Sequence, residues 1–270
     1  MVEQQRPIED VAHTYAETAG KAYADTATYL RAASEGEWSG PTGCADWTLR
    51  DLAGHVVGEA VWFPNLVRGL TRGEDPLPNS LYESLKTLAA GQLAGRLEEA
   101  ARSLAPAVAE ATPDQLRQAV DLGFTKMPLW QATYIPVVES TFHNWDARVG
   151  RDPGATIPTP WALQLASGMA AFAPMIARED GVREALGRYL LRVGDGVGLV
   201  TITAENGRVG VEPGATGVPD ATLHLTADQY VRLIAGRLDL TQALERGTVT
   251  VEGDRERAIR LNRIFQGIGG

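Results

Sequence analysis

Apolar positions recur at three- and four-residue spacing near the start of the chain: Val11, Tyr15, Ala19, Ala22, Tyr23, Thr26, Tyr29 and Leu30. That period predicts an amphipathic helix over residues 8–33. Gly36 to Asp46, with Gly40-Pro41 and Gly43, interrupts it as a loop. Thr48-Leu-Arg-Asp51 carries capping-box spacing, and Leu49, Leu52, Val56, Trp62 and Phe63 continue as a second helix. Gly69 to Asn79, with Gly73, Pro76 and Pro78, ends it. Residues 80–111 predict a third helix through Leu85, Leu88, Leu93, Leu97 and Leu104. After breaks at Pro113 and over 121–127, Pro128 to Val149 predicts a fourth, irregular at Pro136 and closed by Gly150. Four helices in this stretch argue for a helix bundle.

Residues 150–160 repeat Pro and Gly without an apolar period and read as a linker. Residues 161–192 return to a helical pattern. Then the texture changes to short, β-branched, alternating runs: 198–203, 208–212, 221–225 and 248–252. Thr226-Ala-Asp-Gln229 can cap a helix through Tyr230, Leu233 and Ile234, and 254–265 closes with another. The expected fold is all-α followed by α+β: a four-helix bundle over 1–155, a connecting helical segment over 156–192, and a small α+β domain over 193–270.

Composition narrows the class. Hydrophobic residues make up 44% and charged residues 22%, an ordinary soluble balance. With 25 Lys+Arg against 34 Asp+Glu the net charge is −9, which argues against a nucleic-acid reader, since phosphate binding needs clustered cations. No apolar run reaches the roughly 18 residues that span a bilayer, and the polar start lacks a signal-peptide core, so a cytoplasmic protein without membrane partners is expected. One cysteine, Cys44, cannot make an internal disulfide or an all-thiolate metal site. A metal site must draw on the four histidines and the carboxylates. Only Lys21, Lys86 and Lys126 are lysine; with abundant Ala and Gly, that bias suggests a GC-rich genome. Nothing in the pattern specifies an oligomeric state.

Two histidines fall inside apolar helices. His55 follows Leu52 by three, and His143 follows Glu139 by four, so Glu139 and His143 share a face. Two histidines and a glutamate on facing bundle helices suit zinc or a similar divalent ion, with a position left for water or substrate. Taken singly, His55 reads rather as a hydrogen-bonded core residue and Glu139–His143 rather as a helix-surface pair. Glu59, four residues after His55, can hold its imidazole or lie at the solvent edge, and Asp146 can orient His143 or pair with Arg148. Cys44 reads as a small buried residue. Arg50, Arg68 and Arg237 could meet a carboxylate substrate or be solvated surface groups.

The words around these residues add a resemblance. Cys44-Ala-Asp-Trp-Thr-Leu-Arg-Asp-Leu-Ala-Gly-His55 and Glu139-Ser-Thr-Phe-His-Asn-Trp-Asp-Ala-Arg-Val-Gly150 resemble two segments of the mycothiol-dependent maleylpyruvate isomerases, within the DinB-like metalloenzymes. Pro219-Asp-Ala-Thr-Leu, Ala235-Gly-Arg-Leu-Asp239, Ala243-Leu-Glu-Arg-Gly247 and Val251-Glu-Gly-Asp254 resemble a sterol-carrier-protein-like domain. The resemblance implies that His55, Glu139 and His143 bind a divalent metal, usually Zn2+. It implies that mycothiol or a related thiol is the cofactor, and that a small electrophilic substrate undergoes cis-trans isomerisation or S-transfer. It also fits an actinobacterial source. Arg237, Arg68 and Glu59 are then the catalytic candidates, with Trp62 and Tyr134 on the cofactor side. The competing reading is a non-catalytic small-molecule or lipid-binding protein with a structural metal.

Overall fold

A computed structural model of the chain describes residues 6–74, 84–85, 87–123 and 125–265. It divides into two compact units, Met1–Ala155 and Thr156–Gly270.

Four long helices build the first unit: α1 (Ile8–Ala32), α2 (Leu49–Arg72), α3 (Ala90–Ala109) and α4 (Tyr134–Val149). Both α1 and α2 pack against α3 and α4, so α1 and α2 occupy one diagonal of the bundle. Each helix turns its apolar stripe inward. Leu30, Leu52, Phe63, Leu93, Leu97, Leu104 and Phe142 are nearly or fully removed from water. Burying each such side chain contributes about 1.5–3 kcal/mol, which sets the helix phases. The predicted cap of α2 is present: Thr48 Oγ1 accepts the Asp51 N–H at 3.2 Å, and the Thr48 N–H donates to Asp51 Oδ2 at 2.9 Å. Gly73, at φ 68°, ends the helix in the left-handed conformation.

Two expectations shift here. The predicted third helix was to span 80–111, but its long body is Ala90–Ala109; residues 75–83 and 86 lie outside the described ones. The break over 121–127 holds part of a small antiparallel hairpin, β1 (Ala119–Asp121) with β2 (Lys126–Pro128). Strands of three residues are too short to show a period.

The second unit begins with α5 (Thr159–Ile176) and α6 (Glu179–Glu184). Its sheet comprises β3 (Gly187–Val193), β4 (Gly198–Glu205), β5 (Arg208–Pro213), β6 (Ala221–Leu225) and β7 (Thr250–Gly253), in the order β5-β4-β3-β6-β7. The β3–β6 pair is parallel and the others antiparallel. Helices α7 (Ala227–Ile234), α8 (Leu240–Glu245) and α9 (Arg255–Ile264) complete it. This is a helical domain followed by a small α+β domain.

The segment 156–192, expected to be a helical connection, differs. Helix α5 packs on α7 and β5 within the second unit, and the first sheet strand starts at Gly187. Strand β3 is central to the sheet, so Tyr189, Leu190 and Leu191 are all buried. A strand buried on both faces loses its alternation and imitates a buried helix. Among the described residues, no helix is long and apolar enough to cross a membrane.

Candidate metal centre

The site is built where α2 meets α4. His55 lies two turns into α2, and Glu139 and His143 are one turn apart on α4. Glu139 Oε2 stands 3.1 Å from His55 Nε2 and 3.2 Å from His143 Nε2. The two imidazoles meet edge to face, with centroids 4.9 Å apart. One ligand atom from each residue falls within a 4.8 Å cluster.

These residues fit a divalent ion. With zinc–nitrogen distances of about 2.0–2.1 Å, tetrahedral ligand atoms sit roughly 3.3 Å from one another. The two separations at Glu139 already have that size, and the donors are two imidazoles and a carboxylate, a set zinc accepts.

A second layer fixes the ligands. Asp146 is fully buried, and its Oδ2 lies 2.9 Å from His143 Nδ1, accepting that proton and leaving Nε2 for the cluster. The Cys44 thiol donates to the same carboxylate oxygen at 3.3 Å. Cys44, His143 and Asp146 also lie close enough to form a metal-sized group. Their contacts account for one another as hydrogen bonds, and all three are buried, so this group offers no open position. Trp47 walls the other side: its ring lies 5.0 Å from that of His55 and stacks on that of His143 at 6.1 Å.

The loop before α2 holds this layer in place. The Gly43 N–H donates to the Asp146 carbonyl at 2.8 Å. A Cβ on Gly43 would come within 2.5 Å of Asp146 Oδ1, and one on Gly150 within 1.9 Å of the Pro41 carbonyl oxygen. Only glycine lets the two backbones approach so closely.

Charge is strongly coupled here. Burial alone would lift Glu139, but hydrogen bonds and attraction from His143 and His55 hold it far below the ordinary carboxylate range. Burial would depress His143, but hydrogen bonds to Asp146, Cys44 and Glu139 raise it well above the ordinary imidazole value. Glu59 is raised, by burial first and then by the Glu139 charge, with His55 and His143 opposing.

The other expected residues fall in different places. Among the described residues, no hydrogen bond joins Glu59 to His55, so Glu59 does not hold that imidazole; it faces the cluster as a charge one turn along α2. Arg68 is thirteen residues past His55, about 20 Å further along the helix at about 1.5 Å per residue. It lines a separate cleft of about 190 Å³ with Arg96, Glu99 and Ser103 of α3. The structure therefore does not bring Arg68 to the triad. Trp62 meets Phe63 edge to face, and Tyr134 meets Tyr15, so both aromatics are in ring contacts other than those at the histidines. Arg237 belongs to the second unit, where its Nη1 donates to the Ala235 carbonyl at 3.3 Å. Arg50 does reach the site. It lines a cleft of about 230 Å³ with Trp47, Asp51, Gly54 and His55, and its Nη2 donates to the Leu88 carbonyl at 2.6 Å.

Sequence reasoning missed Trp47 as a wall and Cys44 as a partner of Asp146. Both stand in the first quoted word, whose fixed spacing to His55 was the available signal.

Comparison with known proteins bears on the two domains. Residues 19–148 match the family model described as the mycothiol maleylpyruvate isomerase N-terminal domain, and residues 174–266 that of the SCP-2 sterol transfer family. A crystal structure of a mycothiol-dependent maleylpyruvate isomerase aligns over 86% of this chain and 90% of its own, at 20% identity and a TM-score of 0.57. A histidine-to-alanine mutant of that enzyme aligns over the same shares, at 20% identity and a TM-score of 0.55. No curated protein matches the chain. At such identity the solved structures establish shared fold, and the two family models identify the two domains. The chain therefore carries a mycothiol maleylpyruvate isomerase N-terminal domain over residues 19–148, followed by a domain of the SCP-2 sterol transfer family over residues 174–266.

Proposed function

We propose that the protein is a divalent-metal enzyme that uses mycothiol or a closely related thiol to isomerise a small cis-alkene acid of the maleylpyruvate class. The observation that carries this reading is the convergence of His55, Glu139 and His143 beside an open cleft, in a domain of this family. His55 Nε2, Glu139 Oε2 and His143 Nε2 would hold the ion, most suitably Zn2+. The ion, when bound, supplies a positive charge that keeps a thiol ionised at neutral pH.

The chain's own groups then do the following work. Asp146 keeps His143 in the tautomer that presents Nε2. Glu59, raised by its buried, negatively charged surroundings, takes the proton that the thiol sheds. Trp47 closes one wall against water, and Arg50 faces the incoming carboxylate at the cleft. In the reaction the sulfur adds to one alkene carbon while the π electrons pass into the conjugated carbonyl as an enolate. Rotation occurs about the resulting single bond. The enolate collapses, the double bond re-forms as trans, and the thiolate leaves unchanged. The chain's single cysteine is buried and bonded to Asp146, which fits a thiol that arrives as a small molecule.

A second reading has its own support, because the C-terminal family is named for sterol transfer. The described cleft of about 440 Å³ in that unit is lined by Asp239, Thr241, Asn262 and Arg263 as well as Leu238, Ile259 and Phe265. That mixed lining suits a wholly apolar ligand poorly.

The test is direct. Metal-loaded protein is incubated with maleylpyruvate and either mycothiol, glutathione or no thiol, and fumarylpyruvate is measured. Product is expected with mycothiol alone, and His55→Ala should lose stoichiometric metal and at least 100-fold in rate. Full activity without metal, or in His55→Ala, would sink the reading. Stoichiometric metal without isomerisation would move it toward S-transfer.

A further inference from the structure

Tyr23 lies on the inward face of α1 and is 1% exposed. Its hydroxyl has no hydrogen-bond partner among the described residues. A buried O–H left without an acceptor loses the hydrogen bond that water gave it and is destabilising. Native proteins meet such groups with water, an ion or a ligand. The register of α1 against α4 places this residue: Tyr15 meets Tyr134 edge to face, and Asn144 Nδ2 donates to Thr26 Oγ1 at 2.9 Å, so Tyr23 lies between them at the level of Glu139 and His143. Burial raises the phenol well above the ordinary tyrosine value, and the charges of Glu139 and Glu59 raise it further. The hydroxyl is thus a buried donor at the level of the triad. Helix α1 packs directly on α4, which carries Glu139 and His143.

The inventory of the site says what such a donor serves. Glu59, Glu139 and Asp146 are carboxylates, and the Cys44 thiol is already given to Asp146. A site so rich in acceptors is hostile to an arriving anion unless a donor meets it. We propose that Tyr23 Oη donates a hydrogen bond to the thiolate sulfur of the cofactor bound at the triad, and so acts in thiol recognition. This inference rests on the thiol-using reading of the site and adds a residue to it. Tyr23 enters from α1, outside both family words, and reaches the site only through the packing of the bundle.

The experiment compares the full-length, zinc-loaded wild type with Tyr23→Phe, titrating each with mycothiol by calorimetry. Thermal midpoints are recorded with metal and without thiol. Removing an unpartnered oxygen should leave the zinc content unchanged and the thiol-free midpoint no lower, while the Kd for mycothiol rises roughly tenfold, the size of a hydrogen bond to an anion. Equal Kd values in the two proteins would overturn the inference. So would a thiol-free midpoint several degrees lower in Tyr23→Phe, because that would make the hydroxyl a structural group. If the wild type binds zinc but not mycothiol, the proposed function itself fails and takes this inference with it. That outcome is visible in the wild type alone, before the variant is compared.

Discussion

His143 carries two opposed demands. Without metal it is an imidazolium, donating Nδ1–H to Asp146 and Nε2–H to Glu139. With metal its Nε2 must be bare, so ion and proton compete for one nitrogen. The pH dependence follows from the signs. A raised histidine contributes stability that is complete below its unfolded value of about 6.5 and is lost as pH rises through the folded value. A depressed Glu139 contributes stability that is complete above its unfolded value of about 4.3 and is lost as pH falls through the folded one. Both contributions are whole between about pH 4.3 and 6.5. Metal-free protein should therefore melt at progressively lower temperature as pH rises above that window, while the midpoint increase caused by Zn2+ should grow over the same range. Scanning calorimetry with and without zinc checks both slopes. A metal-free midpoint that climbs through neutral pH would contradict the arrangement. Some of this scale was legible in the sequence: His55, Glu139 and His143 could be read from helical spacing and neighbouring words. The unpaired Tyr23 hydroxyl could not. Periodicity reports that a side chain is buried, and says nothing of whether its polar atom has found a partner.

At the level of elements, helix phase sorts the candidates. Glu59 follows His55 by one turn and stays near the cluster, whereas Arg68 is far down the axis and turns to α3. Charge type made Arg68 plausible, and position along the helix removed it. Strand β3 was hidden for a related reason: buried on both faces, its run Tyr189-Leu-Leu191 has no alternation to read. The loop before α2 was legible only as a loop, yet it presses on the end of α4 through two glycines with different consequences. Gly150→Ala would drive a Cβ into the Pro41 carbonyl, with no side chain of the site in the way. It should destabilise the protein by about 1–3 kcal/mol, as overpacking does, with metal affinity in the folded protein close to wild type. Gly43→Ala would strike the Asp146 carboxylate itself. Its zinc affinity should fall 10–100-fold, the usual cost of disturbing the group that orients a metal-binding histidine. Denaturant unfolding and chelator competition on the two variants separate these effects. Unchanged zinc affinity in Gly43→Ala would show that Asp146 does not need its present position.

Across the whole molecule, the chemistry is unevenly divided. The three ligands, Asp146, Cys44, Trp47, Glu59 and Tyr23 all come from residues 23–146, inside the unit that ends at Ala155. That unit has its own core, drawn from four helices of which α1 and α2 each pack on α3 and α4, so it meets the usual conditions for folding alone. A fragment of residues 1–155 should therefore fold to a helical protein and bind one Zn2+ with an affinity within about threefold of the full chain, near-additive behaviour for independent parts. The complementary fragment, 156–270, should bind none stoichiometrically. Circular dichroism establishes folding, and chelator competition gives the affinities. A folded 1–155 fragment that cannot hold zinc would remove the triad as the metal site. Turnover is a separate readout on the same fragments. Arg237 lies in 156–270, and its catalytic role was expected from arginine's fit to a carboxylate substrate and from its place in a Gly-Arg word of the second unit. A 1–155 fragment that binds zinc and mycothiol but fails to isomerise assigns the second unit a part in the reaction, and Arg237→Ala in the full chain should then reproduce the loss. A fragment that isomerises at the full rate confines catalysis to the bundle and leaves the SCP-2-type unit to a separate task.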